Sequence, residues 1–188
     1  MVWDLYGDDG SYYFAQTRDG LPAQVAAHNN QGDSLFGREV EAAVYAAKGD
    51  LDTARQKMAG AAGKPGVISE RDDKELTDWW IWSDSIGALK AGAGNPVVRE
   101  GVLRLMSTLP HVAVTKTSTD GRPTLALTDT EPPVKAGPKS SSGETQTVTI
   151  DADTGVPISF HSGQNKSSDD VKFEVSRVTL ADVAAGKF

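Results

Sequence analysis

The stretch Val112–Thr128, "VAVTKTSTDGRPTLALT", decides the fold class, because its hydrophobic period is that of a strand and not that of a helix. Valines alternate with small and polar residues before Asp120-Gly121, and residues 124–128 alternate again after it. Asp-Gly is typical of the two-residue turn of a β-hairpin. The sequence therefore predicts two antiparallel strands joined at Asp120-Gly121.

The chain after this hairpin continues with short β-branched segments, which predict an antiparallel meander. Residues 131–143 are rich in proline, glycine and serine and predict a loop, and Gly163 to Asp170 predicts a polar connection. Leu180 to Phe188 is expected to contain a short helical turn. The further predicted strands are Thr145–Ile150, Val156–His161 and Val171–Val178.

The chain before the hairpin is helical from about residue 33 to residue 109. Caps and breakers mark its helices: Asp33 or Ser34 before the first, Gly49-Asp50 between the first two, and Asn95-Pro96 before the fourth. Residues 1–18 predict a hairpin, or a strand and a turn, and Leu21 to Asn30 a short helix. The three later helices are expected at Leu51–Ala62, Lys74–Ala91 and Asn95–Leu109.

This order of elements predicts an α+β fold, in which an antiparallel β-meander packs against a block of about four helices. We expect one domain over residues 1–188, with the helical block at about 33–109 and the meander at about 111–179. Because the strand pattern starts at Met1 without a leader, the chain is expected to be the C-terminal part of a longer protein.

Composition excludes several classes of function. The 188 residues carry a net charge of −7 and no cysteine. Nucleic-acid binding needs clustered Lys and Arg, so we expect no nucleic-acid partner. The lack of cysteine excludes disulfides, thiolate catalysis and cysteine-ligated zinc. No apolar run approaches the ~20 residues that cross a bilayer, so no span is expected in this chain.

The segment "IDADTGVPISF" (Ile150–Phe160) contains two carboxylates at the spacing of a phosphatase nucleophile and its acid–base partner. The strand before Asp151 is half polar, however, and no helix pattern follows Asp153, as that chemistry requires. A calcium loop would need a glutamate where Ser162 stands. We therefore interpret the segment as a hairpin turn, with Gly155 at positive φ.

No other pattern indicates catalysis. His28, His111 and His161 are far apart in sequence, and no phosphate loop, dinucleotide fingerprint or nucleophile elbow is present. We expect no catalytic residue, metal ion or cofactor, and hence no enzyme. Ala42–Met58 resembles one tetratricopeptide unit, but an array needs about three, so we expect an ordinary helical hairpin.

The segment "WWIW" (Trp79–Trp82) is the most aromatic part of the chain. Helical spacing places one stripe on a single face, and Trp80 points elsewhere. Two interpretations stay open: the stripe belongs to the core against the sheet, or it lines an apolar ligand pocket or partner surface. The candidate binding residues of this stripe are Trp79, Trp82, Ile86 and Leu89.

Three segments together carry a resemblance to a family. "ALKAGAGNPVVREGVLRLMSTLPHVAVTKTSTDGRPTLALT" (Ala88–Thr128), "TQTVTIDADTGVPISF" and "VSRVTLADVAAGKF" resemble the C-terminal half of an uncharacterised actinobacterial family of membrane-anchored proteins, often encoded beside alternative sigma factors. The resemblance covers about Gly10 to Phe188. It implies an extracytoplasmic location in the cell envelope and a membrane-anchored parent protein.

The hairpin at Ile150–Phe160 is also distantly similar to LolA/RseB-like proteins. Those have a curved antiparallel half-barrel packed over helices, and they carry lipoproteins or lipids or sense envelope stress. The resemblance implies a curved sheet, a partial half-barrel. Since the early strands are reduced to residues 1–18, the sheet would keep an open edge, through which the chain could form a homodimer.

Three hypotheses about function follow. The first is a non-enzymatic extracytoplasmic binding or sensor module, linked to sigma-factor signalling, whose partner is a lipid-like ligand or an envelope protein. It predicts an apolar cavity between the Trp79–Leu89 helix and the sheet. The second is a purely protein-interaction or structural domain, with an exposed apolar patch and no cavity. The third is an unrecognised enzyme, which requires polar residues that converge in a cleft.

Overall fold

A computed structural model describes residues 2–7, 11–32, 34–61, 74–132, 143–164 and 167–188. The chain forms two compact units. One consists of Met1–Gly37 with Ser176–Phe188, and the other consists of Arg38–Val175. The expectation of a single domain over residues 1–188 stays a prediction.

The unit at the two ends of the sequence is built on a hairpin. Strands β1 (Trp3–Tyr6) and β2 (Tyr12–Ala15) pair antiparallel, as predicted for residues 1–18. Helix α1 (Leu21–Ala26) and helix α6, the predicted C-terminal turn at Leu180–Ala184, pack in the same unit. Its buried core is made of Tyr13, Ala15, Leu21, Val25 and Val183.

An aromatic contact near the C-terminus belongs to this unit as well. The rings of Trp3 and Phe188 meet edge to face, with centroids 6.0 Å apart. The guanidinium of Arg18 lies 5.7 Å from the Trp3 ring and 5.1 Å from the Phe188 ring. A cation over aromatic faces is favourable, so Arg18 links the two segments that form the unit.

The predicted helices are present, and the structure shows the predicted caps of two of them. The Asp50 side chain accepts a hydrogen bond from the Thr53 amide, and Asn95 caps the last long helix ahead of Pro96. The expected cap at Asp33 or Ser34 lies outside the described residues and side chains. The helices are α2 (Ser34–Ala47), α3 (Leu51–Ala59), α4 (Lys74–Ala91) and α5 (Pro96–Met106).

The meander is a five-stranded antiparallel sheet in sequential order, which confirms the α+β prediction. It is open and not closed into a barrel, with β3 at one edge and β7 at the other. Asp120 and Gly121 both have positive φ at the β3–β4 turn, as the predicted hairpin turn requires. The strands are β3 (Ala113–Thr119), β4 (Arg122–Thr130), β5 (Thr145–Asp151), β6 (Pro157–Gln164) and β7 (Ser167–Lys172).

The last strand was predicted in the wrong place. The strand expected at Val171–Val178 is found only at Val171 and Lys172, and the polar connection expected at Gly163–Asp170 is wrong for its described residues, because β6 ends at Gln164 and β7 begins at Ser167. Residues 165 and 166 lie outside the described part of the chain. Residues 173–179 are not strand. An edge strand needs no apolar face if both of its sides meet solvent, and Asp169 and Asp170 are exposed. Polar composition therefore did not indicate a loop here.

The helices bury one face of the sheet. Trp82 and Leu89 of α4 share a core with Leu127 of β4 and with Val148 and Ile150 of β5. Helices α2 and α5 come close within the same core: a Cβ atom on Gly101 would lie 1.8 Å from the carbonyl oxygen of Ala43. Only glycine fits this approach. Among the described residues, no helix is both long and apolar enough to cross a bilayer.

Candidate functional site

The predicted stripe on α4 is buried. Trp79 and Ile86 are each 6 % exposed, Leu89 is 1 % exposed and Trp82 is fully buried, whereas Trp80 is 39 % exposed. The indole Nε1 of Trp82 donates a hydrogen bond to Gln146 Oε1 at 3.1 Å. The stripe thus packs on the sheet as core. Its role in binding stays a prediction.

Trp79 lines a pocket of about 360 Å³ at one end of the sheet. We call it the Trp79 pocket. It is bounded by Asp78 and Trp79 of α4, the loop at residues 109–111, Ala113 of β3 and the segment at residues 128–132. The lining is more apolar than polar, yet it includes three carboxylates. It therefore joins an apolar wall to a negatively charged one.

The strand register explains why this pocket exists. Ala113 is the first residue of β3 and pairs with Thr128, so Asp129 and Thr130 extend beyond β3. Both continue to pair with β5, where Asp129 is opposite Gln146. A slot is left beside the end of β4, between β3, the loop before it and the first half of α4.

Asp129 is one of two buried acids that line the pocket. The residue is 7 % exposed, and its Oδ1 accepts a hydrogen bond from the amide of Thr130 at 2.8 Å. Burial raises the pKa of Asp129 above its ordinary value. The Thr130 bond and the charge of His111 act in the opposite direction, and Asp78 adds to the rise.

Asp78 is the second acid, and it is already paired. It is 3 % exposed and forms an ion pair with Arg55 of α3, which also donates to Thr108 Oγ1. Of these three residues, Asp78 lines the pocket. None of the ion pairs among the described residues involves Asp129, so the negative charge of the pocket is not neutralised there.

The edge strand β3 is the second feature with functional potential. Six of its seven residues are exposed, and Val114 is 60 % exposed. Within the described chain, β3 pairs with β4 alone. Its other side is therefore open for hydrogen bonding along the strand.

The hairpin turn shows which backbone groups of β3 point outward. In a two-residue hairpin the pair that flanks the turn, here Thr119 and Arg122, is hydrogen-bonded, and bonded pairs then alternate along the ladder. The Pro123 carbonyl accepts from the Ala152 amide at 3.1 Å, away from β3, which agrees with this phase. The outward groups are therefore those of Val114, Lys116 and Ser118.

The two aspartates of the "DADTG" segment form a turn, as interpreted from sequence. Asp151 Oδ1 accepts from the Asp153 and Thr154 amides and from the Thr154 hydroxyl, and Gly155 has φ of 70°. These hydrogen bonds, the hydroxyl's foremost, lower the pKa of the Asp151 carboxyl. The Oδ1 oxygen of Asp151 thus holds the turn together.

The three histidines have different surroundings. His28 lies in the unit formed by the chain ends, where it has φ of 52°. His161 contacts Asp170 across β6 and β7, with Nδ1 and Oδ1 2.8 Å apart. His111 lines the Trp79 pocket. In the part of the chain that the structure describes, no group of three or more acidic or histidine side chains could hold a metal ion.

Comparison of the chain with family models, curated proteins and solved structures gives no match. The site's own chemistry therefore carries the functional conclusion. Sequence reasoning missed the convergence of Asp78, His111 and Asp129. One signal could have found it: Leu125, Leu127 and Asp129 alternate on one face of a strand, which puts an acid in line with core residues.

Proposed function

We propose that the chain is a non-enzymatic binding module, which recognises an extended segment of a partner protein by adding it as a strand to β3. The single observation that carries this proposal is the exposure of β3 on both faces beside an open hydrogen-bonding edge. Strand addition uses backbone hydrogen bonds for affinity and side-chain contacts for specificity. By resemblance alone, the same proposal places the module in the cell envelope, linked to sigma-factor signalling.

The two edges of the sheet differ in a way that favours β3. Strand β7 carries Asp169, Asp170 and Lys172, and charges are a common protection against unwanted pairing. Strand β3 carries one charge, Lys116, among small and β-branched residues. Its composition suits a strand that accepts a partner.

Lys116 also bears on whether the partner is a second copy. The outward groups of β3 are centred on Lys116, so the longest antiparallel pairing of two β3 strands would place Lys116 opposite its own copy. Like charges directly opposite each other are destabilising. A different protein with an acidic residue at that place fits better than the homodimer expected from sequence.

The burial of the α4 stripe bears on the lipid-like ligand. Trp82 and Leu89 already fill the space between α4 and the sheet with Leu127, Val148 and Ile150. A carrier cavity would need that space to be empty. The packing therefore supports a partner protein over a lipid-like ligand.

A proline at position 116 tests the proposal. Lys116→Pro removes an outward amide and leaves the β3–β4 ladder intact, because proline lacks the N–H group. The matched variant Lys116→Thr removes the charge and keeps the amide. Seven-residue peptides selected on the native protein should bind Lys116→Pro about ten-fold more weakly or worse, and Lys116→Thr less so.

The outcomes of this test separate the hypotheses. Equal binding to Lys116→Pro and to the native protein overturns strand addition. If native mass spectrometry finds a dimer that Lys116→Pro abolishes, the partner is a second copy. A stoichiometric lipid adduct in both variants would favour the lipid-like ligand instead.

A further inference from the structure

We propose that the Trp79 pocket binds an alkylammonium group, with the ammonium on the Asp129 carboxylate and the alkyl stem against the apolar wall. The inference does not depend on strand addition at β3. It assigns a ligand chemistry to a cavity that the proposed function leaves unused.

The shape of the pocket suits a small organic ligand. Its volume of about 360 Å³ falls within the range of ~300–1,000 Å³ that ligand sites occupy. Leu109, Pro110 and Pro132 supply apolar surface beside Trp79. Such a wall can bury a hydrocarbon stem, which a bare metal ion would not need.

The charges of the pocket select a cation. Asp129 and Glu131 both line it, and Asp78 is neutralised by Arg55. Of the lining side chains that the structure describes, His111 alone is basic. An anionic ligand would therefore meet uncompensated carboxylates, whereas a cation would compensate them.

The Asp129 carboxylate can accept a hydrogen bond from a ligand. It is more than nine-tenths buried and lines the pocket, and its Oδ2 accepts no hydrogen bond from the described residues. The Oδ2 atom itself is not fully buried, so a ligand in the pocket can reach it and donate a hydrogen bond to it. An ammonium group offers three N–H donors and a full charge.

Trp79 supplies the second contact that an ammonium group prefers. Tryptophan has the most favourable ring face for a cation within about 6 Å. Trp79 follows Asp78 on α4, and both residues border the same pocket as Asp129. A carboxylate and an indole in one small cavity distinguish an ammonium group from a neutral alcohol of equal size.

The test is a titration with n-butylammonium chloride, followed through the indole N–H resonances in ¹H–¹⁵N spectra. We expect saturable shifts of the Trp79 resonance, assigned with Trp79→Phe. n-Butanol, which has the same stem and no charge, should bind at least about ten-fold more weakly. Equal binding of the alcohol overturns the proposal.

Asp129→Asn is the decisive variant, since it keeps the size of the side chain and removes its charge. It should weaken n-butylammonium binding by about ten-fold or more. Asp120→Asn is the matched control: it removes the same charge at the exposed turn of β3–β4, where asparagine accepts the positive φ. Unchanged affinity in Asp129→Asn, or equal losses in both variants, overturns the proposal.

A further comparison identifies the source of the group. An extended peptide that contains lysine is titrated into the native protein and into Lys116→Pro. If the peptide binds the native protein more tightly than n-butylammonium does, and if Lys116→Pro removes this additional affinity, the ammonium group comes from a lysine of a partner protein. Equal affinities assign it to a free amine. Because Asp129→Asn tests the pocket and Lys116→Pro tests the β3 edge, either proposal can fail without the other.

Discussion

At the scale of single residues, the contribution of the Asp129 carboxyl to the free energy of unfolding depends on pH. Its pKa is raised in the folded protein, so between that value and the ordinary 3.8 the folded state binds more protons than the unfolded state. The free energy of unfolding that Asp129 contributes therefore rises as pH falls through this interval. Above the raised pKa, the buried carboxylate lowers the free energy of unfolding.

Asp129→Asn should for this reason raise the midpoint of thermal unfolding at neutral pH. The gain should shrink as pH falls towards the ordinary value of 3.8, because the native carboxyl, with its raised pKa, becomes protonated above that value. Circular dichroism melts of both proteins across this range measure it, with Asp120→Asn as the exposed control. Lower stability of Asp129→Asn at neutral pH would contradict this account of Asp129.

Two glycines on helices predict opposite effects of the same substitution. Gly101→Ala would force a Cβ atom against the Ala43 carbonyl, and overpacking of this kind costs about 1–3 kcal/mol. Gly37 lies within α2 with nothing near its Cβ position, so Gly37→Ala should gain about 0.5–1 kcal/mol. Urea unfolding measures both, and effects of equal sign would contradict the close approach of α2 and α5.

At the scale of elements, the β3 edge predicts an alternating pattern of amide exchange. The amides of Val114, Lys116 and Ser118 point to solvent, whereas those of the intervening threonines bond to β4. Hydrogen exchange followed by NMR should find the first set fast and the second slow. A bound partner strand should slow the first set alone. If the threonine amides exchange fast and those of Val114, Lys116 and Ser118 exchange slowly, the outward backbone groups of β3 are those of the threonines.

Element boundaries could be predicted where local chemistry sets them. Helix α4 follows the expected Lys74–Ala91, and α5 starts at Pro96 behind its Asn95 cap. Strand β7 could not be predicted in the same way. It forms because the chain turns back after β6 and pairs with it, and its own polar residues do not indicate a strand. The Trp79 pocket depends on strand register, which joins residues far apart in sequence.

At the scale of the whole molecule, Val183 makes the division into two units testable. It is fully buried in the unit that contains Trp3, whereas the other three tryptophans belong to Arg38–Val175. Val183→Asp buries an unpaired charge and should unfold its own unit. The indole resonance of Trp3 should then lose its native position while the others keep theirs.

Ala181→Asp, at an exposed site on the same helix, is the control and should leave all four indole signals unchanged. If Val183→Asp shifts all four together, the chain unfolds cooperatively. That result would support the single domain over residues 1–188 expected from sequence.

The unit formed by Met1–Gly37 and Ser176–Phe188 also constrains how the chain can fold during synthesis. Its first half leaves the ribosome early, but Val183 emerges only after the whole of Arg38–Val175. Until Val183 is synthesised, the apolar surfaces of Tyr13, Leu21 and Val25 are not covered by it. These residues can then take part in aggregation or bind chaperones. Arg38–Val175 can therefore become native before residues 1–37 do.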